Sequence, residues 1–292
     1  MIKKAVIPAA GFGTRFLPIT KSQPKEMIPI VDTPTIQYVV EEAVKSGITD
    51  ILMIIGKGKR AIEEHFDRSF ELENMLIEKN KTKELEEIRN ITRIANIHFV
   101  WQKEMNGLGD AIHYAKYHVG REPFAVLLGD TVIEGKGKPI TRQLMDVFKR
   151  YNSSVVALEE VETSNVSRYG IIDGSPLEKN VLLANDFIEK PSPKEAPSNL
   201  AIASRYIFTP EIFDYLEKTP RGINNEIQLT DAMRTMVKSH AMYGLRFEGK
   251  RYDIGNKLDF IKTNIEFGLT NKEIGKDLRK YILELSLKLN KD

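Results

Sequence analysis

A group of glycines and cations opens the chain. The mostly apolar residues 5–10 lead into Gly11 and Gly13, and Arg15 and Lys25 follow within a short distance. Glycine lets a backbone approach phosphate oxygens without a Cβ in the way, and successive N–H groups can form an anion-binding concavity. Lys and Arg add charge-assisted hydrogen bonds. The pattern predicts a polyphosphate site; the alternative is a tight turn between strand and helix with surface cations.

Two common phosphate-binding motifs do not fit this stretch. The dinucleotide fingerprint G-x-G-x-x-G needs a third glycine for close helix–strand packing, and Phe16 occupies that position. The P-loop G-x-x-x-x-G-K-[ST] needs Ser or Thr after its lysine, whereas Gly58 follows Lys57. The mismatches argue against a dehydrogenase and against a P-loop NTPase.

Two carboxylates lie at the ends of predicted strands. Asp130 follows the apolar run at 124–128, and Asp253 lies within Arg251-Tyr252-Asp253-Ile254-Gly255. Mg²⁺ takes one or two carboxylates together with phosphate oxygens. We therefore expect Asp130 and Asp253 to hold one Mg²⁺, with a capping role as the alternative for each.

Further polar residues also follow predicted strands. The Gln102 amide both donates and accepts, so it can recognise a base edge that offers O4 and N3–H, and Gly107 lets a flat base lie against the backbone. We interpret Asp110 as a helix N-cap. Glu189 can accept hydrogen bonds from vicinal sugar hydroxyls while Lys190 neutralises a phosphate; the alternative is an exposed ion pair before a turn.

Apolar runs of strand length alternate with helical patterns through the first half of the chain. Strands are expected at 4–9, 50–55, 96–101, 124–128 and 154–158, and helices at 35–46, 59–66, 108–118 and 139–151. The strands lack polar alternation, which is typical of strands buried on both faces. We predict an α/β fold with a Rossmann-like mixed, mostly parallel sheet flanked by helices. Ligands bind beyond the carboxyl ends of strands in such sheets.

The second half has a different pattern. Shorter strands are expected at 169–173, 181–189 and 200–208, and helices at 210–217, 228–239 and 256–268, which predicts a smaller α+β part. Residues 70–93 are predicted to form one or two amphipathic surface helices. The tail at 271–292 has an apolar stripe that either packs on its own domain or joins subunits.

Composition excludes several classes of protein. The chain has 292 residues, no cysteine and a formal net charge of +2. Disulfides and thiolate sites are thereby excluded, and no global field favours nucleic acid or membrane. No run approaches the roughly 18 apolar residues of a membrane span. We expect a cytoplasmic enzyme and interpret Trp101 as a core residue.

Three segments of the opening stretch carry a family signature: Gly11-Phe12-Gly13-Thr14-Arg15-Phe16-Leu17-Pro18, Thr20-Lys21 and Pro24-Lys25-Glu26-Met27. They resemble the signature of the sugar-phosphate nucleotidyltransferases. Other segments resemble the bacterial-type UTP–glucose-1-phosphate uridylyltransferase (UDP-glucose pyrophosphorylase) branch: residues 29–32 and 36–42, Ser167-Arg168-Tyr169-Gly170, Ile188-Glu189-Lys190-Pro191, residues 226–231 and residues 249–255. The resemblance spans about residues 3–268.

The resemblance implies a role for each matching position. It implies that uracil is held by Ala10, Gly11, Gln102 and Gly107, and the triphosphate by Gly13, Thr14, Arg15 and Lys25. It implies Mg²⁺ on Asp130 and Asp253, with Asp130 also at the nucleotide, glucose on Gly170 and Glu189, and the sugar phosphate on Lys190. Arg15, Lys25 and Lys190 are the implied catalytic cations.

The resemblance also implies an activity and a domain plan. The activity is uridylyl transfer from UTP to glucose 1-phosphate, giving UDP-glucose and pyrophosphate, in a homo-oligomer (dimer or tetramer). The nucleotidyltransferase domain is expected at 1–268, with a nucleotide-binding part at about 1–165 and a sugar-binding part at about 166–268. Residues 269–292 are the C-terminal helix.

Four positions depart from the pattern of this branch. Asp110 stands where histidine is common, Asn106 where leucine is, and Asn225 and Ser204 where glycine is. The first two border the nucleotide and the other two the sugar wall. Two alternatives therefore stay open: the same reaction with dTTP or another sugar 1-phosphate, and a non-catalytic sugar-nucleotide sensor.

Overall fold

The computed structural model describes residues 2–289, except for the side chain of Asp253. The strands are β1 (Lys4–Ala9), β2 (Pro29–Ile30), β3 (Thr33–Pro34), β4 (Asp50–Ile55), β5 (Asn96–Trp101), β6 (Phe124–Leu127), β7 (Thr131–Gly135), β8 (Ser154–Glu160), β9 (Gly170–Pro176), β10 (Val181–Glu189), β11 (Leu200–Phe208), β12 (Met242–Arg246) and β13 (Gly249–Asp253). The helices are α1 (Thr35–Lys45), α2 (Arg60–Phe66), α3 (Phe70–Glu78), α4 (Thr82–Thr92), α5 (Leu108–His113), α6 (Lys116–Val119), α7 (Ile140–Tyr151), α8 (Ile212–Lys218), α9 (Leu229–Met236), α10 (Lys257–Thr270) and α11 (Gly275–Leu289).

Most of the described strands form one mixed sheet in the order β5-β4-β1-β6-β11-β8-β12-β10-β9. The α/β prediction is confirmed. Neighbours from β5 to β6 are parallel, as are β8 and β12, whereas the other neighbours in this sheet run antiparallel. The expectation of a mostly parallel sheet is therefore wrong beyond β6. Parallel neighbours need a long crossover, whereas residues 177–180 join β9 directly to β10 as an antiparallel pair.

Apolar side chains cover both faces of the sheet. On β1, Ala5 and Ile7 pack into a cluster with α1, α2 and α7, while Val6 packs into a second cluster with α5, α8 and α9. This arrangement explains the missing polar alternation, since both faces of β1 are buried. The carboxyl ends of β1, β4, β5 and β6 consequently lie at one edge of a rigid, covered sheet.

The strand at 96–101 lies at the sheet edge. Its bounds are as predicted, but half of its residues are only partly buried and Trp101 is 55% exposed. The interpretation of Trp101 as a core residue is wrong. Because β5 has a sheet neighbour on one side only, its last side chain projects past the sheet towards solvent.

The charge-dense segment forms the two surface helices α3 and α4, within the predicted range of 70–93. One buried carboxylate organises this region. Glu73 accepts hydrogen bonds from Arg68 and Arg89 at 2.7 and 3.0 Å. The hydrogen bond from Arg68 lowers the pKa of Glu73 to about 2, and burial only partly opposes it. The segment is thus held by ion pairs as well as by its apolar stripe.

The second half contains strands that the sequence did not predict. β10 and β11 have the predicted bounds, and Asp253 ends β13 as expected, whereas β12 and the pairing of β7 with β13 were not predicted. The helix predicted at 108–118 is divided into α5 and α6. α11 packs closely on α10, where a Cβ at Gly268 would lie 2.6 Å from Leu278, and several of its other apolar side chains are exposed. The end of the predicted tail helix, residues 290–292, lies outside the described residues. No helix within residues 2–289 is long and apolar enough to span a bilayer.

Candidate active site

A cleft of about 440 Å³ opens at the carboxyl ends of the parallel strands. Its lining includes six residues predicted to bind a nucleotide: Ala10, Gly11, Lys25, Gln102, Gly107 and Asp130. They come from loops that follow β1, β5 and β6 and from a short 3-10 turn, so the sheet edge brings them together. The structure therefore brings these six predicted residues together in one cavity.

The loop after β1 folds tightly around Gly13. This residue has φ +67°, and a Cβ would meet the Lys25 Cβ at 2.9 Å, so glycine is required twice over. Thr20 donates its hydroxyl to the Gly13 carbonyl at 2.9 Å. Short 3-10 turns at 14–16, 19–21 and 25–27 then return the chain to the cleft. Gly13 and Lys25, which are twelve positions apart in the sequence, therefore lie in direct contact.

Thr14 and Arg15 lie at the rim and not in the cleft lining. Both are exposed, and no hydrogen-bond partner is found for either side chain among the described residues. The Arg15 charge is nevertheless close enough to Lys25 to act on its pKa. Arg15 is therefore positioned beside the mouth of the cleft.

Lys25 forms an ion pair with Asp130 in the cleft, with 2.6 Å between Nζ and Oδ2. Burial favours the neutral form of Lys25, but the charges of Asp130 and Glu26 outweigh it and raise its pKa. Burial likewise opposes ionisation of Asp130, and Lys25 outweighs that effect, so the Asp130 pKa is lowered. A fixed ammonium and a fixed carboxylate therefore face the cleft together.

A second ion pair, which the sequence did not predict, lies behind the half-buried Lys25–Asp130 pair. Lys59 donates to Glu26 Oε2 at 2.7 Å and to the Gly11 carbonyl at 2.6 Å, and both side chains are almost fully buried. Burial lowers the pKa of Lys59 and raises that of Glu26. The signal lay in residues 56–59, whose sequence resembles an incomplete P-loop. Lys59 fixes the carbonyl of the glycine loop.

Gln102 lies on the cleft floor and is 5% exposed. Its side-chain nitrogen donates to Asp110 Oδ2 at 2.7 Å and to the Gly107 carbonyl at 3.2 Å. The interpretation of Asp110 as an N-cap is wrong: α5 begins at Leu108, its cap position is Gly107, and Asp110 is its third residue. The Asp110 carboxylate instead accepts a hydrogen bond from the predicted base-recognising amide.

Gly107 is clamped by a distant part of the chain. Its φ is +102°, and a Cβ there would lie 2.7 Å from the Glu226 Cβ. Ile227 donates to the Asn106 carbonyl at 2.7 Å and accepts from Gly109 N–H at 2.9 Å. The segment at 226–227 thus holds the base loop in place, a role that its sequence did not indicate.

The predicted sugar-binding residues lie together on the second half of the sheet. Gly170 begins β9 and pairs with Glu189 at the end of β10. Thr230 donates its hydroxyl to Glu189 Oε2 at 2.7 Å, and a Cβ on Gly170 would approach that hydroxyl to 2.9 Å. Glycine therefore leaves room for the Thr230–Glu189 hydrogen bond. Thr230 was not predicted as a site residue.

Lys190 follows Glu189 in an unusual backbone conformation. Its φ is +47°, and its ammonium lies 3.0 Å from Glu189 Oε1 with the side chain 39% exposed. The two oxygens of Glu189 are therefore held by two different donors. Burial, followed by the charge of Glu189, raises the pKa of Tyr206 on the neighbouring strand β11.

A buried arginine supports the turn that carries Asp130. Arg205 donates to Glu42 at 2.9 Å and to the Thr131 carbonyl at 2.8 Å, and it is fully buried. The backbone of Asp253 pairs with Thr131 across the β7–β13 ladder, one residue away from Asp130. The side chain of Asp253 is not among the described parts of the chain, so its predicted role in holding Mg²⁺ stays a prediction.

Comparison with known proteins agrees with this geometry. The nucleotidyl transferase family matches residues 4–267. A UTP–glucose-1-phosphate uridylyltransferase of Staphylococcus epidermidis is 54% identical over 286 residues, 98% of this chain and 99% of that protein. This chain belongs to the nucleotidyl transferase family. Within it, the chain belongs to the UTP–glucose-1-phosphate uridylyltransferase branch, as the sequence predicted.

Solved structures of nucleotidyltransferases share the fold. A UTP-bound UGPase from Acinetobacter baumannii superposes with a TM-score of 0.91 at 40% identity, covering 98% of this chain and all of that one. A UDP-glucose pyrophosphorylase complexed with UDP-glucose gives a TM-score of 0.86 at 45% identity, covering 93% of this chain and 100% of that one. Solved structures that share this fold thus contain UTP in one case and UDP-glucose in the other.

Two departures of this nucleotidyltransferase from its branch now have a backbone explanation. Asn225 and Ser204 replace glycine, and both have φ +60°. Asn tolerates the left-handed region better than most residues, whereas Ser pays a larger cost there. Ser204 accepts a hydrogen bond from the Thr131 hydroxyl at 3.3 Å.

Proposed function

We propose that this chain transfers a uridylyl group from UTP to glucose 1-phosphate, giving UDP-glucose and pyrophosphate. The observation that carries the proposal is the Lys25–Asp130 ion pair inside the cleft formed by the glycine loop and Gln102. A fixed ammonium can form charge-assisted hydrogen bonds with a triphosphate, and an amide can recognise the edge of a pyrimidine base. The identity to curated uridylyltransferases supports the same reaction.

The proposal assigns the nucleotide to residues 1–165 and the sugar to residues 166–268, with α11 serving packing or oligomerisation. In the nucleotide part, Ala10, Gly11, Gln102 and Gly107 hold uracil, and Gly13, Thr14, Arg15, Lys25 and Asp130 hold the triphosphate. In the sugar part, Gly170 and Glu189 hold glucose and Lys190 its phosphate.

The chemistry is an in-line attack by a glucose 1-phosphate oxygen on the α-phosphorus. That oxygen is already an anion, so the reaction needs no general base. It needs relief of anion–anion repulsion, alignment and neutralisation of the leaving pyrophosphate. We propose that Lys25 and Arg15 meet these needs at the triphosphate and Lys190 at the sugar phosphate.

Magnesium is part of the proposal. The Asp130 carboxylate supplies the hard oxygen ligands that Mg²⁺ prefers, and it lies in the triphosphate cleft. We propose that Asp130 and Asp253 hold the ion, which supplies charge neutralisation for the phosphates. EDTA should abolish turnover and added Mg²⁺ should restore it; full activity in EDTA would contradict the assignment.

The decisive experiment measures pyrophosphate release across a grid of nucleoside triphosphates and sugar 1-phosphates. We expect the highest kcat/KM for UTP with glucose 1-phosphate. Equal rates with dTTP favour the second candidate, the same reaction with thymidylyl transfer, because thymine shares the edge that Gln102 faces. No pyrophosphate from any pair would favour a non-catalytic sensor.

Two further predictions concern the protein in the cell. We expect a homo-oligomer, dimer or tetramer, and a cytoplasmic location, with no nucleic-acid or membrane partner. Light scattering of the purified chain tests the first, and fractionation of cells tests the second.

A further inference from the structure

The amide of Gln102 is held in one orientation by two acceptors. Its nitrogen carries two hydrogens, and these are directed to the Asp110 carboxylate and the Gly107 carbonyl. Neither acceptor has a hydrogen to offer in return. The chemistry of the neighbours therefore fixes which end of the amide is nitrogen, independently of how the two atoms are assigned.

The oxygen of this amide is left for a ligand. Gln102 lines the cleft, and no hydrogen-bond donor from the described residues reaches its Oε1. The Gly107 carbonyl is itself held firmly, since the clamp at 226–227 bonds the residues on both sides of it. The Gln102 oxygen is thus an acceptor of fixed orientation on the cleft floor.

An amide that can turn over does not distinguish uracil from cytosine. Uracil offers N3–H as donor and O4 as acceptor, whereas cytosine offers N3 as acceptor and its N4 amino group as donor. A half-turn of an amide exchanges its donor and acceptor, so a free glutamine suits both bases. A glutamine can therefore distinguish uracil from cytosine only if rotating its amide by a half-turn is energetically unfavourable.

We propose that Asp110 is a specificity-determining positioning residue, which locks the Gln102 amide so that its oxygen faces the base and UTP is selected over CTP. In the turned orientation, the Gln102 oxygen would face the Asp110 carboxylate and the Gly107 carbonyl, with no proton between them. The lock accepts thymine as readily as uracil, because both carry N3–H. The inference rests on the proposed uridylyl transfer and deepens it.

The test compares three nucleotides in the full chain. In Asp110→Asn and Asp110→Ala, the ratio of kcat/KM for UTP to that for CTP should fall at least about tenfold, as for one mispaired base contact. The ratio for UTP to dTTP should stay within about twofold. A merely structural role would lower all three substrates together and leave both ratios unchanged, which would overturn the proposal.

Glu104→Gln is the matched control, because Glu104 is exposed in the same loop and, among the described residues, its carboxylate accepts a hydrogen bond only from Asn106, at 3.1 Å. It should leave both ratios unchanged, and a fall in the UTP/CTP ratio equal to that of Asp110→Asn would overturn the proposal.

A measurement on the unaltered protein covers the case in which the variants do not fold. N3-methyluridine triphosphate lacks the N3–H donor, and its kcat/KM should be at least about tenfold below that of UTP; equal use of both would overturn the inference. If the unaltered chain releases no pyrophosphate from UTP with any sugar 1-phosphate, the proposed function itself fails. In that case equilibrium dialysis of UTP and CTP against the same variants decides the inference separately.

Discussion

The nucleotide part and the proposed sugar part hold their charges differently. In the first, Lys25 and Lys59 each pair with a carboxylate at 2.6 and 2.7 Å, and the Lys59 pair is almost fully buried. In the second, the Glu189 carboxylate is held by a neutral hydroxyl from Thr230 and by the partly exposed Lys190. The nucleotide part thus contains two lysine–carboxylate ion pairs, of which one is half-buried and one almost fully buried, whereas the sugar part has one carboxylate whose direction is fixed by two donors.

The difference follows from the ligands proposed for each part. A triphosphate brings several negative charges, and cations that are already fixed stabilise a developing charge without reorganisation. A sugar is neutral, so it is recognised by hydrogen bonds whose geometry must be correct. Loss of a cation in the nucleotide part should therefore cost more than loss of a hydroxyl in the sugar part.

The largest effect is expected from Lys59→Met. This substitution leaves the buried Glu26 carboxylate without its partner. Breaking a buried ion pair in this way lowers the free energy of unfolding by about 3–5 kcal/mol. Urea unfolding measures this. The double variant Lys59→Met/Glu26→Leu should regain much of the stability, yet keep a raised KM for UTP because the Gly11 carbonyl has lost its donor. Equal stability of the single and double variants would contradict the role of the pair.

Lys25→Ala should lower kcat at least about a hundredfold with the fold intact, since one transition-state charge contact contributes about 3 kcal/mol. Steady-state kinetics and a thermal melt measure both quantities. Lys21→Ala is the matched control, because Lys21 is an exposed cation of the same segment. A near-normal rate for Lys25→Ala would contradict the proposed function.

Thr230→Val should have a smaller effect that is confined to the sugar. It removes one hydrogen bond to Glu189, which contributes about 0.5–1.5 kcal/mol, so the KM for glucose 1-phosphate should rise about twofold to twelvefold. Thr230→Ser keeps the hydroxyl and should behave as the unaltered protein. If the KM for UTP rises by the same factor, the separation of the two parts is wrong.

The smallest effect on catalysis is expected far from both parts, at Glu73. Its folded pKa of about 2 lies below the ordinary value of 4.5, so its stabilising contribution is present above about pH 4.5 and is lost as the pH falls towards 2. Glu73→Gln should leave turnover unchanged and lower the melting temperature at pH 7. That difference should shrink as the pH falls through this window; a difference independent of pH would contradict the ion-pair explanation.

Local sequence patterns predicted most strand bounds and the residues at the strand ends, but not the residues that contact them from distant parts of the chain. Bounds of β1, β4, β5, β10 and β11 agree with the sequence because apolar runs between turn residues define them. Six predicted nucleotide residues line one cleft, since strand ends converge. The short strand β12 was missed, and β13 was expected only through the position of Asp253 at a strand end, because their sequences lack a continuous apolar run and depend on neighbours in the sheet.

The sequence alone determined the element types, the family and the chemical groups available: glycines, cations and carboxylates at strand ends. These depend on residues near one another in the chain. Only the tertiary structure decided that Lys59 holds Gly11, that Ile227 clamps Gly107 and that Asp110 orients Gln102. The first two contacts join segments far apart in sequence, and the third needs a loop whose shape the distant clamp fixes. A local pattern carries no record of such partners, since the folded backbone alone brings donor and acceptor within hydrogen-bond distance.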